Sequence, residues 1–326
     1  MPTHRFTGPL FIVGMPRSGT KLLRGLLNEH SQVSIPLNET EFLPHWARRW
    51  KTWGDLSNPV HFQKFYDEVT RSVYFVHRHE EHGQRITVND WHKSCEDHSL
   101  AGVFKALVTH DANACRDGIW GDKSPSYLTS LPLLKETFPT ARFIHIIRDA
   151  RDHCLSMKRA FGKSPIRAAQ RWSDRIVAAK EMAANLNDDY VEVRYEDLLS
   201  NPVKELTTLC KFIGVEFEST MLAMSRAPEN LGDTVGQHTI VAANIGKWRQ
   251  EMSFSQRIQI ERIAGSVLTE LGYPVTESAR IRVSKTTMFM LQIHDGFQII
   301  LRERAKRGWF KALAFRMRLF RQTRQQ

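Results

Sequence analysis

The chain has 326 residues, of which 46 are Lys or Arg and 35 are Asp or Glu, for a net charge of +11. A hydrophobic content of 41% with 25% charged residues excludes wholesale disorder, and the length suffices for a core that needs no disulfide or structural metal. The charge is uneven, with +9 in residues 276–326 and +2 in the first 275. Nucleic-acid-binding domains usually spread basic charge over their main face, so we expect no nucleic-acid partner.

Three short apolar runs have the length and composition of buried strands, and each precedes a helix-like segment. The predicted strands are Leu10–Gly14, Arg142–Ile147 and Tyr190–Arg194, and the helices after them are Thr20–Leu27, Ala150–Arg159 and Pro202–Phe212. Strands that alternate with helices predict an α/β fold, an open parallel sheet with helices on both faces.

Weaker signals complete the predicted domain. They are a strand at Ile119–Gly121, a helix at Tyr127–Thr137 and a helix at Ser255–Leu271. Residues 40–116 are mostly helical in pattern and rich in aromatic residues, which we interpret as a helical cap inserted in the sheet domain, with the aromatic rings packing its interior. The sequence thus predicts one domain over residues 1–275 and a basic extension over residues 276–326.

The first strand runs directly into a loop with the composition of a phosphate-binding site. Gly14 and Gly19 bound the loop and allow close approach of the backbone, while Arg17 supplies a planar fork of donors for phosphate oxygens. Ser18 and Thr20 add hydroxyl donors. Because a helix follows at once, its N-terminal N–H groups and its dipole favour an anion at the same place.

This loop differs from the Gly-x-x-x-x-Gly-Lys-Ser/Thr loop of nucleotide hydrolases. Gly14 and Gly19 have the required spacing, but Thr20 and Lys21 stand in the inverted order, so the hydroxyl that would bind Mg²⁺ is out of register. A P-loop kinase or nucleotide hydrolase is therefore an alternative that the inverted order disfavours. A plain turn between strand and helix is the other alternative.

A second anion site is predicted where the strand at residues 142–147 ends. Arg148 lies at its carboxyl end, where ligands bind in open α/β sheets, and Ser156 lies about two turns into the next helix. The two side chains can therefore share one phosphate group. The alternative is a capped helix with a surface cluster of Arg and Asp residues.

With these two motifs, the chain resembles the sulfotransferases that use 3′-phosphoadenosine 5′-phosphosulfate (PAPS). The loop at residues 16–20 resembles their 5′-phosphosulfate loop, although Lys21 stands where the family has Thr or Ser. Arg148 and Ser156 resemble their 3′-phosphate site. The resemblance covers roughly residues 9–272, and it implies a P-loop-like fold and PAPS as the sulfuryl donor.

Two later segments resemble the same family. The Arg-Tyr-Glu-Asp-Leu segment at residues 194–198 puts Tyr195 where the family has a Tyr beside the adenine. The segment at residues 246–248 resembles a Gly/Ser-Lys/Arg-Trp element that closes over the nucleotide. The resemblance therefore implies that the cofactor-binding residues are Arg17, Ser18, Gly19, Thr20, Lys21, Arg148, Ser156, Tyr195, Lys247 and Trp248.

Sulfuryl transfer is an in-line displacement at sulfur, so the protein must position both partners, stabilise charge and accept the proton of the attacking hydroxyl. Glu39 follows a short strand, Val33–Ile35, that would return the chain to the same edge of the sheet. Its position resembles that of the base in protein-tyrosine and some carbohydrate sulfotransferases. The alternative is an acid in the first turn of a helix capped by Asn38.

Lys123 lies in Gly-Asp-Lys-Ser-Pro, which resembles the family's Glu/Asp-Lys-Ser/Thr-Pro segment, whose Lys lies near the bridging oxygen of the donor. We expect Lys123 and Arg17 to act in catalysis by stabilising charge on the leaving group. A turn lysine is the alternative for Lys123, and Asp122 is a competing base. The scheme requires no metal, and the sequence offers no obvious metal cluster.

The acceptor is expected to be a hydroxyl on a glycan or a glycolipid, and a tyrosyl peptide or a small alcohol is the alternative. The tyrosine enzymes have Thr and then Arg after the base, and here Thr40 matches whereas Glu41 does not. This mismatch disfavours their acidic-peptide substrates.

Cysteine usage and the termini bear on the compartment. The cysteines, Cys95, Cys115, Cys154 and Cys210, lie 20, 39 and 56 positions apart, which argues against a zinc site or a disulfide framework and favours a reducing compartment. No run of 18 apolar residues is present, and the first residues lack the apolar region of a signal peptide. We therefore expect a cytoplasmic protein without a membrane-spanning helix.

The last 25 residues, 302–326, hold nine basic residues and one Glu, with apolar residues at helical spacing. Basic amphipathic helices of this kind lie on anionic membranes, and a packed helix or a disordered tail is the alternative. We hypothesise that the tail makes the enzyme a peripheral protein of the inner membrane face. A non-catalytic membrane- or RNA-binding protein with a degenerate nucleotide fold is the remaining alternative.

Overall fold

The computed structural model describes residues 5–72, 74–75, 86–112, 118–228 and 233–307, with side chains as far as residue 301. Within these ranges, five parallel strands form one sheet in the order β2-β3-β1-β4-β5. The strands are β1 (Leu10–Gly14), β2 (Val33–Ser34), β3 (Ile119–Lys123), β4 (Arg142–Ile147) and β5 (Tyr190–Arg194). The predicted α/β fold with an open parallel sheet is confirmed.

Helices connect the strands and cover the sheet. The α-helices are α1 (Thr20–Asn28), α2 (Leu43–Arg49), α3 (Pro59–Val69), α4 (Val88–Ser94), α5 (Leu100–Ala112), α6 (Leu131–Thr137), α7 (Ala150–Phe161), α8 (Pro165–Ala183), α9 (Tyr195–Ser200), α10 (Pro202–Ile213), α11 (Trp248–Glu251), α12 (Phe254–Glu270) and α13 (Lys285–Arg307). Short 3₁₀ helices lie at Trp50–Trp53, Pro125–Thr129, Asn187–Asp189, Ser219–Leu222 and Ala242–Asn244.

Two predicted elements differ in extent from the structure. The helix predicted at Tyr127–Thr137 is a 3₁₀ turn and a separate α6, because Pro132 lacks an N–H and fits only in the first turn of a helix. The strand predicted to end at Gly121 continues through Lys123, since its last two residues pair with β1. The long helix α8 was not predicted, although Ser164 caps it and Pro165 begins it.

The two faces of the sheet carry separate hydrophobic cores. Alternate residues of β1 point to opposite faces, with Phe11 in one core and Ile12 in the other. Helices of the cap region together with α8 and α12 cover the first face, while α1, α9 and α10 cover the second. Most of the cap aromatics are buried and pack against each other, as Trp46 does with Phe65, so the predicted packing role of these rings is confirmed.

The basic extension is only partly described. Helix α13 reaches Arg307, whereas residues 308–326 and the side chains from residue 302 onward lie outside the described part. The amphipathic pattern predicted for residues 302–326 and the division of the chain at residue 275 therefore stay predictions. Among the described helices, none combines the length and the apolar character needed to cross a bilayer.

Candidate active site

The motifs singled out in the sequence converge on one edge of the sheet. The phosphate loop follows β1, Lys123 ends β3, Arg148 follows β4 and Tyr195 follows β5. The carboxyl ends of parallel strands meet at one edge, and the chain leaves β1 toward β2 on one side but reaches β4 on the other. Ligands bind in the crevice that such a reversal opens.

The phosphate loop is held in a strained turn that presents its backbone to the crevice. Arg17 has a positive φ of 71°, and Gly19, which caps α1, has φ of 94°. A Cβ on Gly19 would lie 2.3 Å from the ring of Tyr195, so only glycine fits there. The hydroxyl of Ser18 is buried without a hydrogen-bond partner among the described residues, which suits a donor that awaits an anion.

Arg17, Arg148 and Ser156 are brought together as predicted from the sequence. The Nε of Arg17 donates to the Oγ of Ser156 at 3.2 Å, and Arg148 donates to the carbonyl of Arg17 at 3.3 Å. Arg148 also donates to the carbonyl of Asn244 at 3.1 Å. The acceptors of Arg148 are thus both neutral carbonyls, so these hydrogen bonds do not neutralise its positive charge.

The cleft between these groups has a charged end and an aromatic end. The charged end, about 700 Å³ and open to solvent, is lined by four cations, Arg17, Arg148, Arg159 and Lys247, and by Ser156, Asp152 and Asp233. Asp233 forms ion pairs with Arg159 at 3.1 Å and Lys247 at 2.6 Å. The adjoining end, about 470 Å³, is lined by Leu22, Tyr195, Met224 and Val241 among others. The guanidinium of Arg148 lies 4.5 Å from the ring centroid of Tyr195. A flat base and a phosphate group fit these two ends, because one offers an aromatic face and the other offers cations.

The segment at residues 246–248 is held by Asp152, which bears on the predictions for Lys247 and Trp248. Asp152 accepts hydrogen bonds from the N–H groups of Gly246 at 2.6 Å and Trp248 at 2.9 Å. Lys247 therefore faces the cleft, whereas the Trp248 ring is buried 3.7 Å from the guanidinium of Arg151. Trp248 does not line either end of the cleft as described, and its contact with the cofactor stays a prediction.

Two positioning residues were missed in the sequence. Asn244 accepts from Arg148 through its carbonyl and donates from its amide to the Tyr195 hydroxyl at 2.7 Å, so it holds both ends of the cleft. Asp152 holds the segment at residues 246–248. The Arg-Asp-x-Arg-Asp pattern pointed to Asp152 as part of a motif but gave it no role, and nothing local marked Asn244.

Lys123 and Glu39 form an ion pair beside the phosphate loop. Lys123 lies in register with Ile12 of β1 and is fully buried, while the side chain of Glu39 is 31% exposed. Burial lowers the pKa of Lys123, as do the charges of Arg24 and Lys21, and Glu39 opposes this shift. The charge of Lys21 therefore contributes to lowering the pKa of Lys123. Lys21 does not line either end of the cleft as described.

The alternative interpretation of Glu39 as an acid in the first turn of a helix capped by Asn38 is wrong, because α2 begins at Leu43 with Phe42 as its cap. The intervening turn is instead held by the Tyr127 hydroxyl, which lies 2.6 Å from the Oγ1 of Thr40 and accepts from the N–H of Leu43 at 3.0 Å. Glu39 thus projects from a buried, hydrogen-bonded turn rather than from a helix end.

Asp122, the competing base, is fully buried next to Lys123. Burial raises its pKa to about 7, partly offset by the Ser124 hydroxyl, by Lys123 and by the Thr40 hydroxyl. Neither carboxyl oxygen makes a hydrogen bond of standard geometry within the described residues. Asp122 is therefore less able than the partly exposed Glu39 to reach an incoming hydroxyl.

The fold is that of an α/β protein with a P-loop-like sheet, and its cleft joins a charged end to an aromatic end. The model of the Sulfotransferase family matches residues 9–219, so the chain belongs to this family.

Relatives with curated names share modest identity with the chain. A putative protein-tyrosine sulfotransferase of Caenorhabditis briggsae is 24% identical over 260 residues, which are 76% of this chain and 75% of that protein. Protein-tyrosine sulfotransferase 1 of Danio rerio is 27% identical over 65% of this chain, which spans only 55% of that relative. Carbohydrate sulfotransferase 1 of Mus musculus is 30% identical over 28% of this chain and 24% of its own length.

Among solved structures, a sulfotransferase domain from the curacin biosynthetic pathway superposes with a TM-score of 0.55. It is 23% identical in sequence, and the match covers 83% of this chain and 99% of the domain. At this level of identity the likeness supports the fold.

Proposed function

We propose that the protein transfers a sulfuryl group from PAPS to a hydroxyl group of an acceptor. The observation that carries the proposal is the cleft at the end of β1 and β4. There, Arg17 contacts Ser156, Arg148 donates to two backbone carbonyls, and the Arg148 guanidinium lies against Tyr195. A cationic end joined to an aromatic end suits a nucleotide with phosphates at two positions.

The residues of the cleft suggest how the donor would bind. The Ser18 hydroxyl and the N–H groups at the start of α1 suit the 5′-phosphosulfate, since a helix N-terminus favours an anion. Arg148, Ser156 and Lys247 suit the 3′-phosphate at the charged end. Tyr195 suits the adenine at the other end.

The ion pair of Glu39 and Lys123 suits the transfer step. The acceptor oxygen attacks sulfur in line and forms an S–O bond, while the bond between sulfur and the bridging oxygen breaks and its electron pair leaves with adenosine 3′,5′-bisphosphate. Glu39 accepts the hydroxyl proton as general base. Neutralised Glu39 no longer holds the charge of Lys123, so the buried ammonium becomes available to the negative charge that develops on the leaving oxygen.

The acceptor proposed here is a hydroxyl of a glycan or glycolipid. Glu41 stands where the tyrosine enzymes have Arg, which removes a cation that would favour an acidic peptide. A tyrosyl peptide is the second candidate, because the protein-tyrosine relatives match more of the chain than the carbohydrate relative does.

Transfer from radiolabelled PAPS into a cell extract, followed by separation of lipid, glycan and protein fractions, tests the proposal. Label in the glycan or lipid fraction is expected, and label in protein tyrosine would favour the second candidate. No incorporation by a protein that binds adenosine 3′,5′-bisphosphate would contradict the transferase function. Binding of ATP that requires Mg²⁺ would favour a kinase or hydrolase instead.

We also propose that the C-terminal extension binds an anionic membrane from the cytoplasmic side. Helix α13 exposes four large apolar side chains, Phe289, Met290, Ile293 and Phe297, and the extension carries a net +9. Truncation after Leu301 removes nine of the twelve basic residues of the extension, so it should strongly weaken sedimentation with phosphatidylserine vesicles and spare binding to adenosine 3′,5′-bisphosphate. Unchanged sedimentation of the truncated protein would refute this role.

A further inference from the structure

A second cavity, of about 410 Å³, lies on the other side of the phosphate loop from the nucleotide cleft. Met15 and Pro16 line it, whereas the next loop residues, Arg17 and Gly19, line the cleft. The loop is therefore a shared wall. A molecule in this cavity would approach the phosphate loop from the side that the nucleotide does not occupy.

Helix α7 extends this wall. His153 and Met157 face the second cavity, while Leu155 and Ser156 of the same helix face the cleft. The two spaces thus share a helix as well as a loop, which suits two substrates that meet at one reaction centre.

Four cations line this cavity, which we call the basic cavity: Lys163, Arg167, Arg171 and Arg175. The three arginines are spaced four residues apart on α8 and therefore share one face of the helix. Asp295 is the one acidic residue of the described lining, and it accepts from Arg167 at 3.0 Å and from the N–H of Ser164 at 2.7 Å. The lining accordingly keeps a formal charge of +3.

Arg171 and Arg175 are the unbalanced members of this set. Within the described ranges, neither has a carboxylate at ion-pair distance, and both are partly buried. Burial lowers the pKa of Arg171, the charges of Arg175 and Arg167 lower it further, and the charge of Asp295 opposes this shift. Burial alone lowers the pKa of Arg175. Holding like charges together away from water costs free energy, which a bound anion would offset.

His153 provides an independent observation at the same place. Its imidazole is fully buried, and neither ring nitrogen has a hydrogen-bond partner among the described residues. Burial lowers its pKa to about 3, and the charges of Arg148, Lys163, Arg171 and Arg17 act in the same direction. The ring is therefore neutral, with one unused donor and one unused acceptor at the cavity wall, a state that is costly unless a ligand satisfies it.

We propose that the basic cavity binds a negatively charged group, a carboxylate or a sulfate, of the acceptor. The acceptor is then an anionic molecule whose reacting hydroxyl reaches the phosphate loop while its charged group lies between Arg171, Arg175 and His153. Guanidinium groups bind such oxyanions through paired N–H donors, and the neutral imidazole adds one more. This inference rests on the proposed sulfuryl transfer and narrows its acceptor class.

The first test reads anion binding at His153 by side-chain NMR, with the full chain saturated with adenosine 3′,5′-bisphosphate so that the cleft is filled. Sodium sulfate and sodium acetate, titrated separately at constant ionic strength, distinguish a tetrahedral anion from a carboxylate. A saturable shift of the His153 resonance with either anion is expected. The double variant Arg171→Gln, Arg175→Gln should lose it, while Arg282→Gln, at a side chain that is 79% exposed, should keep it.

No saturable shift with either anion, or the same shift in the double variant, would overturn the anion site. The second test compares transfer from radiolabelled PAPS into a cell extract. The double variant should incorporate at least about tenfold less label, which is the loss expected for one charge-assisted contact, with unchanged affinity for adenosine 3′,5′-bisphosphate. Equal incorporation would overturn the role in acceptor binding, whereas absence of transfer by the unmodified protein would count against sulfuryl transfer itself.

Discussion

Arg148 and Arg151, which lie just before and just inside the start of α7, have opposite electrostatic environments. Arg148 donates to the carbonyls of Arg17 and Asn244 and contacts no carboxylate within hydrogen-bond distance in the described structure. Arg151 is almost fully buried and forms ion pairs with Asp149 at 2.7 Å and Glu261 at 2.8 Å. The charge of Arg148 is therefore available to a ligand, whereas the charge of Arg151 is neutralised by carboxylates within the fold.

The difference shows how a short Arg-Asp-x-Arg-Asp segment serves two purposes. A cation held by neutral acceptors keeps its attraction for an anion. A cation held by two buried carboxylates cannot be removed without leaving their charges buried and unpaired, which destabilises the fold. The pair of Lys123 and Glu39 is the exception, because it is balanced and yet lies beside the phosphate loop. The partial exposure of Glu39 is what separates this pair from the cluster around Arg151.

Glu39→Gln tests the ion pair of Glu39 and Lys123, and it should have the largest effect on the rate of sulfuryl transfer. The amide keeps a hydrogen-bond acceptor for Lys123 but cannot take a proton, so kcat for sulfuryl transfer should fall by about 10²–10⁴. Affinity for adenosine 3′,5′-bisphosphate should not change. Glu41→Gln, two residues along the same turn, is the matched control and should retain activity. A rate for Glu39→Gln close to that of the unmodified protein would remove Glu39 as the base.

Arg151→Met tests the structural arginine. Loss of the guanidinium leaves Asp149 and Glu261 buried without their shared cation, so the free energy of unfolding should fall by about 3–5 kcal/mol. Urea unfolding followed by tryptophan fluorescence measures this change. The folded fraction of the Arg151→Met variant should still bind adenosine 3′,5′-bisphosphate. A stable variant that no longer binds the nucleotide would reverse the roles assigned to Arg151 and Arg148.

Asp122→Asn tests a buried carboxylate that, unlike Asp149, forms no ion pair among the described residues. The pKa of Asp122 in the folded protein, about 7, lies above its ordinary value of 3.8, so folding favours the protonated form. That stabilisation is complete below the ordinary value and is lost as the pH rises through about 7. Asp122→Asn should therefore gain stability over the unmodified protein at high pH, by at most about 4 kcal/mol.

Urea unfolding at about pH 4.5 and about pH 8 measures that difference. Asp188→Asn, at an exposed aspartate, is the control and should match the unmodified protein at both values. If Asp122→Asn showed the same relative stability at both values, Asp122 would be ionised throughout and its raised pKa would be refuted.

Arg148→Ala should have the smallest effect on the fold and a clear effect on the ligand. Its partners within the protein are neutral carbonyls, so removing it leaves no buried charge unpaired. The loss of a charged hydrogen bond to the ligand, about 1.5–3 kcal/mol of binding free energy, should weaken the affinity for adenosine 3′,5′-bisphosphate roughly 10- to 100-fold. The unfolding midpoint should stay close to that of the unmodified protein. Calorimetric titration and a thermal melt of the same sample distinguish this result from general destabilisation.

The parts of the site that lie within one short segment of the chain could be predicted from the sequence. β1, the phosphate loop and α1 follow from an apolar run, two glycines and a helix-like pattern within about twenty residues of each other. The same holds for β4 with Arg148 and Ser156. In these segments the backbone alone fixes where the side chains go.

The remaining parts depend on contacts between distant segments. The role of Arg151 is set by Glu261, which is 110 positions away, and Asn244 acts through Arg148 and Tyr195. The arginines of α8 have the spacing of any solvated helix face, and only the packing of the loop and α13 against them forms the basic cavity. Asp295 lines that cavity, so part of the C-terminal extension contacts the body near the site.

Calorimetric titration with adenosine 3′,5′-bisphosphate and with adenosine 5′-monophosphate, both in EDTA, tests the central claim most directly. The cleft described here has a separate cationic end for a 3′-phosphate, so the bisphosphate should bind at least about tenfold more tightly, without any divalent cation. Equal affinity for the two nucleotides, or binding only after Mg²⁺ is restored, would contradict the assignment of this cleft to PAPS.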